Sequence, residues 1–195
     1  MSTISASTTS TTAYKVTADT TGTLVLQTGA TPTTALTIDA SQNITTANRF
    51  AKASMPTGSV LQVVNATYST QLATSSTSYV DTGLSASITP TSSTSKILIL
   101  VEQTGLGKNS GDSAQRVALN ILRNSTQLIQ FEVGAGYTGA STINIFGGSG
   151  SNYLDSPATT SSVTYKTQIK GFAGVNVYAQ YDNSTSTITL MEIAA

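Results

Sequence analysis

The sequence predicts an all-β protein, a sandwich or a barrel, with no substantial helix. Short segments rich in threonine, valine, isoleucine and tyrosine recur at intervals of roughly 8–12 residues, and turn-forming residues separate them. No stretch carries the apolar repeat of an amphipathic helix. Residues 96–102 form an unbroken apolar run closed by a charge at each end, a pattern typical of a strand covered on both faces.

The composition indicates a folded chain that associates with itself. About a third of the 195 residues are serine or threonine, 38% are hydrophobic and only 9% are charged, with a net charge of zero. Threonine and β-branched residues fit the pleated surface of a sheet. Because few charges keep the copies apart, we expect association.

The composition also excludes several kinds of site. The nine basic residues are scattered singly, which argues against nucleic acid as a partner. With no cysteine and no histidine, the chain has no disulfide, no thiolate metal site and no histidine-dependent catalysis. We therefore expect no catalytic residues, no metal and no cofactor. We also expect synthesis in a cytoplasm without a signal peptide, and no membrane insertion.

The amino-terminal region combines a polar tail with a few short strands. Residues 1–12 are mostly serine and threonine and are predicted to be a flexible or docking tail. The strands predicted after it are residues 13–17, 22–27, 34–39 and 44–46. They are too few and too short to enclose a core, so they either form a small meander or pair with other chains. A hinge with a short helical turn over residues 47–54 is predicted next, punctuated by Pro56 and Gly58.

A regular succession of strands follows the hinge. The predicted strands are residues 59–68, 78–88, 96–102, 116–123, 127–133, 142–146, 151–154, 163–170, 175–181 and 186–193. Asn124-Ser125 predicts a hairpin turn, and the glycine-rich residues 147–150 predict another turn. Residues 105–111 lack the Gly-Lys-Ser/Thr of a phosphate loop and are predicted to be a flexible surface loop.

Two of these strands, residues 96–102 and 186–193, carry apolar side chains on both faces. One face of a sandwich strand packs on the opposite sheet, so the other face needs a second cover. We expect that cover to be a neighbouring subunit. The candidate interface residues are Ile97, Ile99, Val101, Leu190 and Ile193.

Six segments carry a resemblance to a known family. They are DTTGTLVLQTG at residues 19–29, residues 35–43, GSVLQVV at residues 58–64, residues 79–84, YLDSP at residues 153–157, and residues 186–195. These segments resemble tail-fibre-type, receptor-binding proteins of aquatic (marine) bacteriophages, and the likeness covers most of the chain from residue 13 onward.

The resemblance implies a homotrimeric virion protein in two parts. Residues 1–55 would be a docking region and hinge, with residues 1–50 contacting another virion protein. Residues 56–195 would be a jelly-roll head like that of tumour necrosis factor. Because the chain is short and has no long repetitive shaft, it resembles a short fibre or a capsid-mounted spike.

The head is expected to bind a glycan or protein of the host cell surface through aromatic and polar loops. Tyrosine among glycine, serine and asparagine offers rigid contact area with a polar tip. The candidate receptor contacts are Tyr137, Asn152, Tyr153 and Tyr181, although packing is the alternative role for each. Two other functions stay open: a decoration or cement protein of the capsid, and a polysaccharide depolymerase with two acids across a cleft.

Overall fold

The described part of the chain forms two units. A computed structural model describes residues 23–28, 33–46, 55–109, 114–136 and 142–195. The contacts divide the chain between residues 51 and 52. The predicted strand at residues 13–17 and the predicted helical turn over residues 47–54 lie outside the described residues.

The first unit contains a three-stranded antiparallel meander. Its strands are β1 (Leu24–Thr28), β2 (Thr33–Ile38) and β3 (Ile44–Thr46), paired in the order β1-β2-β3. The turn between β2 and β3 is organised by Asp39, whose carboxylate accepts hydrogen bonds from the backbone of Ser41 and from the side chain and backbone of Asn43. The bonds from Asn43 hold the pKa of Asp39 below its usual value. The three predicted strands in this region are confirmed to within two residues.

The described part of the second unit contains ten strands and one helical turn. The strands are β4 (Val60–Tyr68), β5 (Leu72–Thr74), β6 (Val80–Ile88), β7 (Lys96–Lys108), β8 (Val117–Arg123), β9 (Thr126–Ala135), β10 (Asn144–Asp155), β11 (Val163–Lys170), β12 (Val177–Ala179) and β13 (Ser186–Ile193). A short 3-10 turn, Tyr181–Asn183, lies between β12 and β13. The fold is all-β, as predicted.

The pairing of these strands is that of a jelly roll. Eight strands pair as nested antiparallel partners, β4 with β13, β6 with β11, β7 with β10, and β8 with β9. This is the pairing of one long hairpin rolled into two sheets. One sheet has the order β4-β13-β7-β10 and also contains β12 and β5, and the other has the order β6-β11-β8-β9. We call them the six-stranded and the four-stranded sheet.

The core lies between the two sheets in two apolar clusters. The larger one includes Ile97, Ile99 and Tyr165, and the smaller one includes Leu106 and Ile169. Along β7 and β11, the residues between the clusters are buried and polar. Thr167 bonds to Gln103 over 2.8 Å, and Gln103 bonds to Ser186 over 2.9 Å. This layer is tolerated because its members satisfy one another's hydrogen bonds.

A buried carboxylate ties the two sheets together. Asp155, at the end of β10, receives hydrogen bonds from the Arg123 guanidinium on β8 at 2.9 and 3.0 Å and from the Tyr165 hydroxyl on β11 at 2.7 Å. Burial, together with the bond to Asp155, raises the pKa of Tyr165, so its hydroxyl remains a donor. Asp155 is therefore a structural residue of the sandwich.

Three elements differ from the sequence-based expectation. β10 runs through the glycine-rich residues 147–150, where we expected a turn between two strands. β7 continues to Lys108 with residues 105–108 fully buried, so the expected surface loop at 105–111 is wrong at least to that point. Gly105 allows this continuation, because it has φ +59° and an added Cβ would meet the backbone nitrogen of Tyr181. The short strand β5 was not predicted.

Candidate interaction surfaces

The outer face of the six-stranded sheet carries a row of apolar side chains across four strands. Strand registers align Val63 of β4 with Met191 of β13, Met191 with Leu98 of β7, and Leu98 with Leu154 of β10. Since neighbouring strands lie about 4.8 Å apart, this row is about 14 Å long. We call it the apolar row.

The apolar row is exposed within the described part of the chain. Val63 is 55% exposed and Leu154 is 50% exposed, while Leu98 and Met191 between them are half-buried. Leu100, the next outward residue of β7, is 38% exposed. Contiguous exposed apolar residues of this kind mark contact surfaces, whereas isolated ones need no explanation.

The outer face of the four-stranded sheet is mostly polar and bonded to itself. Ser87 of β6 bonds to Thr164 of β11 over 2.7 Å, and Asp81 of β6 accepts hydrogen bonds from Lys166 and Gln168 of β11, each over 2.7 Å. Burial acts to raise the pKa of Asp81, but these two bonds and the charge of Lys166 hold it below its usual value.

Four of the five candidate interface residues face inward. Ile97, Ile99 and Leu190 are fully buried and Val101 is nearly so, all packed in the larger apolar cluster against the opposite sheet. Their assignment to a subunit interface is corrected, because they are core residues of the single chain. Ile193 lies on the outer face, half-buried. The outward-facing positions, where we expected these four residues, are instead occupied by their sequence neighbours Leu98, Leu100 and Met191.

The two ends of the jelly roll differ in what they carry. Strands β4, β7, β9 and β11 finish at one end, which we call the loop end. The β8–β9 turn at residues 124–125 lies at the other, which we call the hairpin end. At the hairpin end Gly58 and Ser59 pair with Ala194 through backbone hydrogen bonds of 2.8 and 2.9 Å. The chain therefore enters the second unit at the hairpin end.

The three described candidate receptor contacts, Asn152, Tyr153 and Tyr181, lie in different surroundings. Tyr137 lies outside the described residues. Tyr153 of β10 packs against the core, while its neighbour Asn152 is exposed on the outer face of the six-stranded sheet. Tyr181 lies beside Gly105 of β7, edge-on to Tyr178 with ring centres 5.3 Å apart.

A cluster at the loop end was missed by the sequence reasoning. Arg116 lies over the ring of Phe172, and the ammonium group of Lys170 lies against the rings of both Phe172 and Tyr79. We call these four residues the cation–aromatic cluster. They come from three distant parts of the chain, and only the closeness of Lys170 to Phe172 was visible in the sequence.

Three of the described carboxylates are held by hydrogen bonds within the sandwich. Glu192 is fully buried and accepts hydrogen bonds from Gln62 at 2.6 Å and from the hydroxyl and backbone of Thr91 at 2.6 and 2.7 Å. Burial acts to raise the pKa of Glu192, but these bonds hold it below its usual value. Asp155 and Asp81 are likewise bonded within the sandwich. Among the described residues no group of three or more carboxylates is placed to hold a metal ion.

A small concavity lies at the hairpin end of the described part of the chain. It has a volume of about 120 Å³ and is lined in part by Met55, Leu61 and Ala194. No aspartate or glutamate is among the described residues that line it. In the part of the chain that the structure describes, no helix is long and apolar enough to cross a membrane.

Comparison with known proteins gives structural matches only. No protein family and no curated protein matches the sequence. Among solved structures, the VP2 subviral particle of infectious bursal disease virus matches 68% of this chain and 32% of its own, with 17% identity and a TM-score of 0.43. The Gt strain of the same virus matches 70% of this chain and 39% of its own, with 16% identity and a TM-score of 0.33. This chain thus spans well under half the length of the solved chains that it matches.

Proposed function

We propose that this chain is a non-enzymatic structural protein of a bacteriophage virion that acts as a homotrimer. In this proposal residues 1–50 attach it to another virion protein, and the jelly-roll head binds a glycan or protein of the host cell surface. The assembly would be a short fibre or spike.

The observation that carries the proposal is the apolar row on the outer face of the six-stranded sheet. Val63, Met191, Leu98 and Leu154 lie side by side across four strands, and Leu100 extends the surface. Covering these side chains would remove apolar area from water, at about 25 cal/mol per Å². A second copy is a partner that is always present at the same concentration. Because the net charge is zero, two copies repel each other little.

The resemblance of residues 19–29 and 153–157 to tail-fibre-type proteins supports the trimeric state and the virion location. The geometry of the head is compatible with this arrangement. Its chain enters at the hairpin end, and we expect a receptor to bind the loops at the opposite end. Three heads side by side would present three such ends, so that weak contacts with a cell surface multiply.

The first test is the mass of the full chain in solution, measured by light scattering at several concentrations. A particle of about 60 kDa, three times the 20.0 kDa of one chain, is expected to persist on dilution. A monomer at all concentrations would overturn the proposal, and a dimer would overturn its trimeric form.

A capsid decoration protein is the rival, because it needs the same covered face. Immunogold labelling of virions separates the two. Label at the tail supports the fibre or spike proposed here, and label spread over the capsid shell supports decoration.

A further inference from the structure

The cation–aromatic cluster at the loop end holds two positive charges against one ring. The guanidinium carbon of Arg116 lies 3.8 Å from the centre of the Phe172 ring, and the Lys170 ammonium lies 4.9 Å from the same centre. Lys170 is also 4.9 Å from the centre of the Tyr79 ring. The cluster therefore alternates ring and cation, in the order Tyr79, Lys170, Phe172, Arg116.

A buried glutamine fixes the loop that carries Phe172. The side-chain oxygen of Gln115 accepts hydrogen bonds from the backbone of Phe172 at 2.6 Å and of Ala173 at 2.9 Å, and its side-chain nitrogen donates to the carbonyl of Val175. The backbone of Gly171 bonds to that of Ser76 over 2.9 Å. The ring and its two cations are thus held by a built framework.

Within the described part of the chain, neither cation has a carboxylate partner. The ion pairs among the described residues are Arg123 with Asp155 and Lys166 with Asp81, and neither involves Arg116 or Lys170. Arg116 donates one hydrogen bond, to the carbonyl of Ala114 at 3.2 Å. The rest of its planar set of donors is unused in the described part of the chain, and this set matches the two oxygens of an anion.

Two like charges held at one ring repel each other, and an anion placed between them would relieve this repulsion. We propose that the cation–aromatic cluster binds an anionic polysaccharide. This inference rests on the proposed function, since it names the chemistry of the surface component that the head would bind. A polymer is favoured over a single anion because two half-exposed cations bind weakly, and repeated charges can engage several heads at once.

The test measures binding of the full chain to immobilised polygalacturonate, which carries one carboxylate per sugar. The same polymer fully methyl-esterified keeps the sugar chain and removes the charge. The wild-type chain should bind the charged polymer at least about tenfold more tightly. Dextran sulfate, run in parallel, shows whether sulfate is accepted as well as carboxylate. Equal binding to the charged and esterified polymers, or no binding to either anionic polymer, would overturn the inference.

The variants Arg116→Gln and Lys170→Gln should each lose about tenfold in affinity, and the double variant more. Lys96→Gln is the matched control, because it removes one positive charge from the hairpin end, and its affinity should stay within about twofold. Circular dichroism and light scattering confirm that each variant keeps the wild-type fold and mass. If the control loses as much affinity as the others, binding follows net charge and the inference fails.

Polyglutamate separates a polysaccharide from an acidic protein. Tighter binding to polyglutamate than to polygalacturonate would overturn the saccharide assignment. A wild-type chain that forms a trimer on the virion yet ignores both anionic polymers would refute this inference and leave the proposed function standing. A monomer that still binds polygalacturonate through Arg116 and Lys170 would overturn the proposed function and leave this inference standing.

Discussion

The outer faces of the two sheets differ in the polarity of their side chains. On the four-stranded sheet, Ser87, Thr164, Lys166 and Asp81 are polar and bond across the strands. On the six-stranded sheet the outer face includes the apolar row and Leu100, beside one cross-strand bond from Asn65 to Thr189 over 2.8 Å. A sheet face that is polar and satisfied by its own cross-strand bonds can stay in water, whereas an apolar one gains from being covered.

This difference indicates that the outer face of the six-stranded sheet is the side of the jelly roll available for assembly. It also shows that one strand can serve two surfaces. In β7, Ile97 and Ile99 lie in the core, while Leu98 and Leu100, which alternate with them, point outward. The predictions below test this division, from the largest expected effect to the smallest.

Ile99→Asp should abolish folding. Ile99 is fully buried, so the new carboxylate would lie in the apolar core without a partner, at a cost of about 4–5 kcal/mol or more. Chemical denaturation of any soluble fraction would measure this loss. A soluble variant with wild-type stability would mean that the inner and outer faces of β7 have been exchanged.

Leu98→Asp, one residue away, should leave the fold intact and break the assembly. The charge would lie at the centre of the apolar row, where covering it costs several kcal/mol. Light scattering should show the mass falling from about 60 kDa to about 20 kDa, with an unchanged circular dichroism spectrum. Ser85→Asp, on the outer face of the four-stranded sheet, is the control and should keep the wild-type mass. An unchanged mass for Leu98→Asp would place the interface elsewhere.

Asp155→Asn should weaken the connection between the sheets without changing either outer face. It removes the charge that Arg123 and Tyr165 share, at a cost of about 3 kcal/mol in the free energy of unfolding. Tyr165→Phe removes one of these bonds and should cost about 1 kcal/mol. Urea denaturation of both variants measures the difference, and equal losses would contradict the role given to Asp155.

Lowering the pH should destabilise the sandwich through Glu192. Its pKa in the folded state is held below the unfolded value of about 4.3, so its stabilising effect is complete above that pH and is lost as the pH falls through the folded pKa. Glu192→Gln should cost about 1–3 kcal/mol at pH 7, and its deficit relative to wild type should shrink below about pH 4.3. Thermal unfolding followed from about pH 2.5 to about pH 7, which brackets the carboxyl pKa, checks this. A constant deficit would exclude the charged form of Glu192 as the source.

Asp81→Asn should have the smallest effect. The Asp81 side chain is half exposed and its bond to Lys166 is a surface ion pair, so less than about 0.5 kcal/mol should be lost. Raising the salt concentration should reduce the difference further. A loss above about 1 kcal/mol would show that the outer face of the four-stranded sheet contributes more to stability than its exposure suggests.

Much of the fold could be predicted from local pattern, and the exceptions have physical causes. The hairpin at Asn124-Ser125 is confirmed, because β8 ends at Arg123, β9 begins at Thr126 and Asn124 has φ +53°. The glycines at 147–150 suggested a turn, yet they are in β10, where the carboxylate of Glu102 on the neighbouring strand lies close to Gly148 and Gly150. Glycine here marks a close approach that only the paired strand reveals.

The candidate sites were harder to predict than the strands. A residue such as Tyr153 has the same local sequence character whether it packs in a core or meets a ligand. The cation–aromatic cluster joins Tyr79, Arg116 and Phe172, which are brought together only by the ends of different strands. The residues next to each of these positions in the sequence do not indicate that the strand ends meet.

The sequence by itself determined that this chain is all-β, where most of its strands lie, and that residues 96–102 are apolar on both faces. It could not determine which face turns inward, because alternation is the signal for orientation and an unbroken apolar run has none. The tertiary structure decided that Ile97 and Ile99 belong to the core, since it alone sets the register that aligns Leu98 with Met191 and Leu154 on the outside.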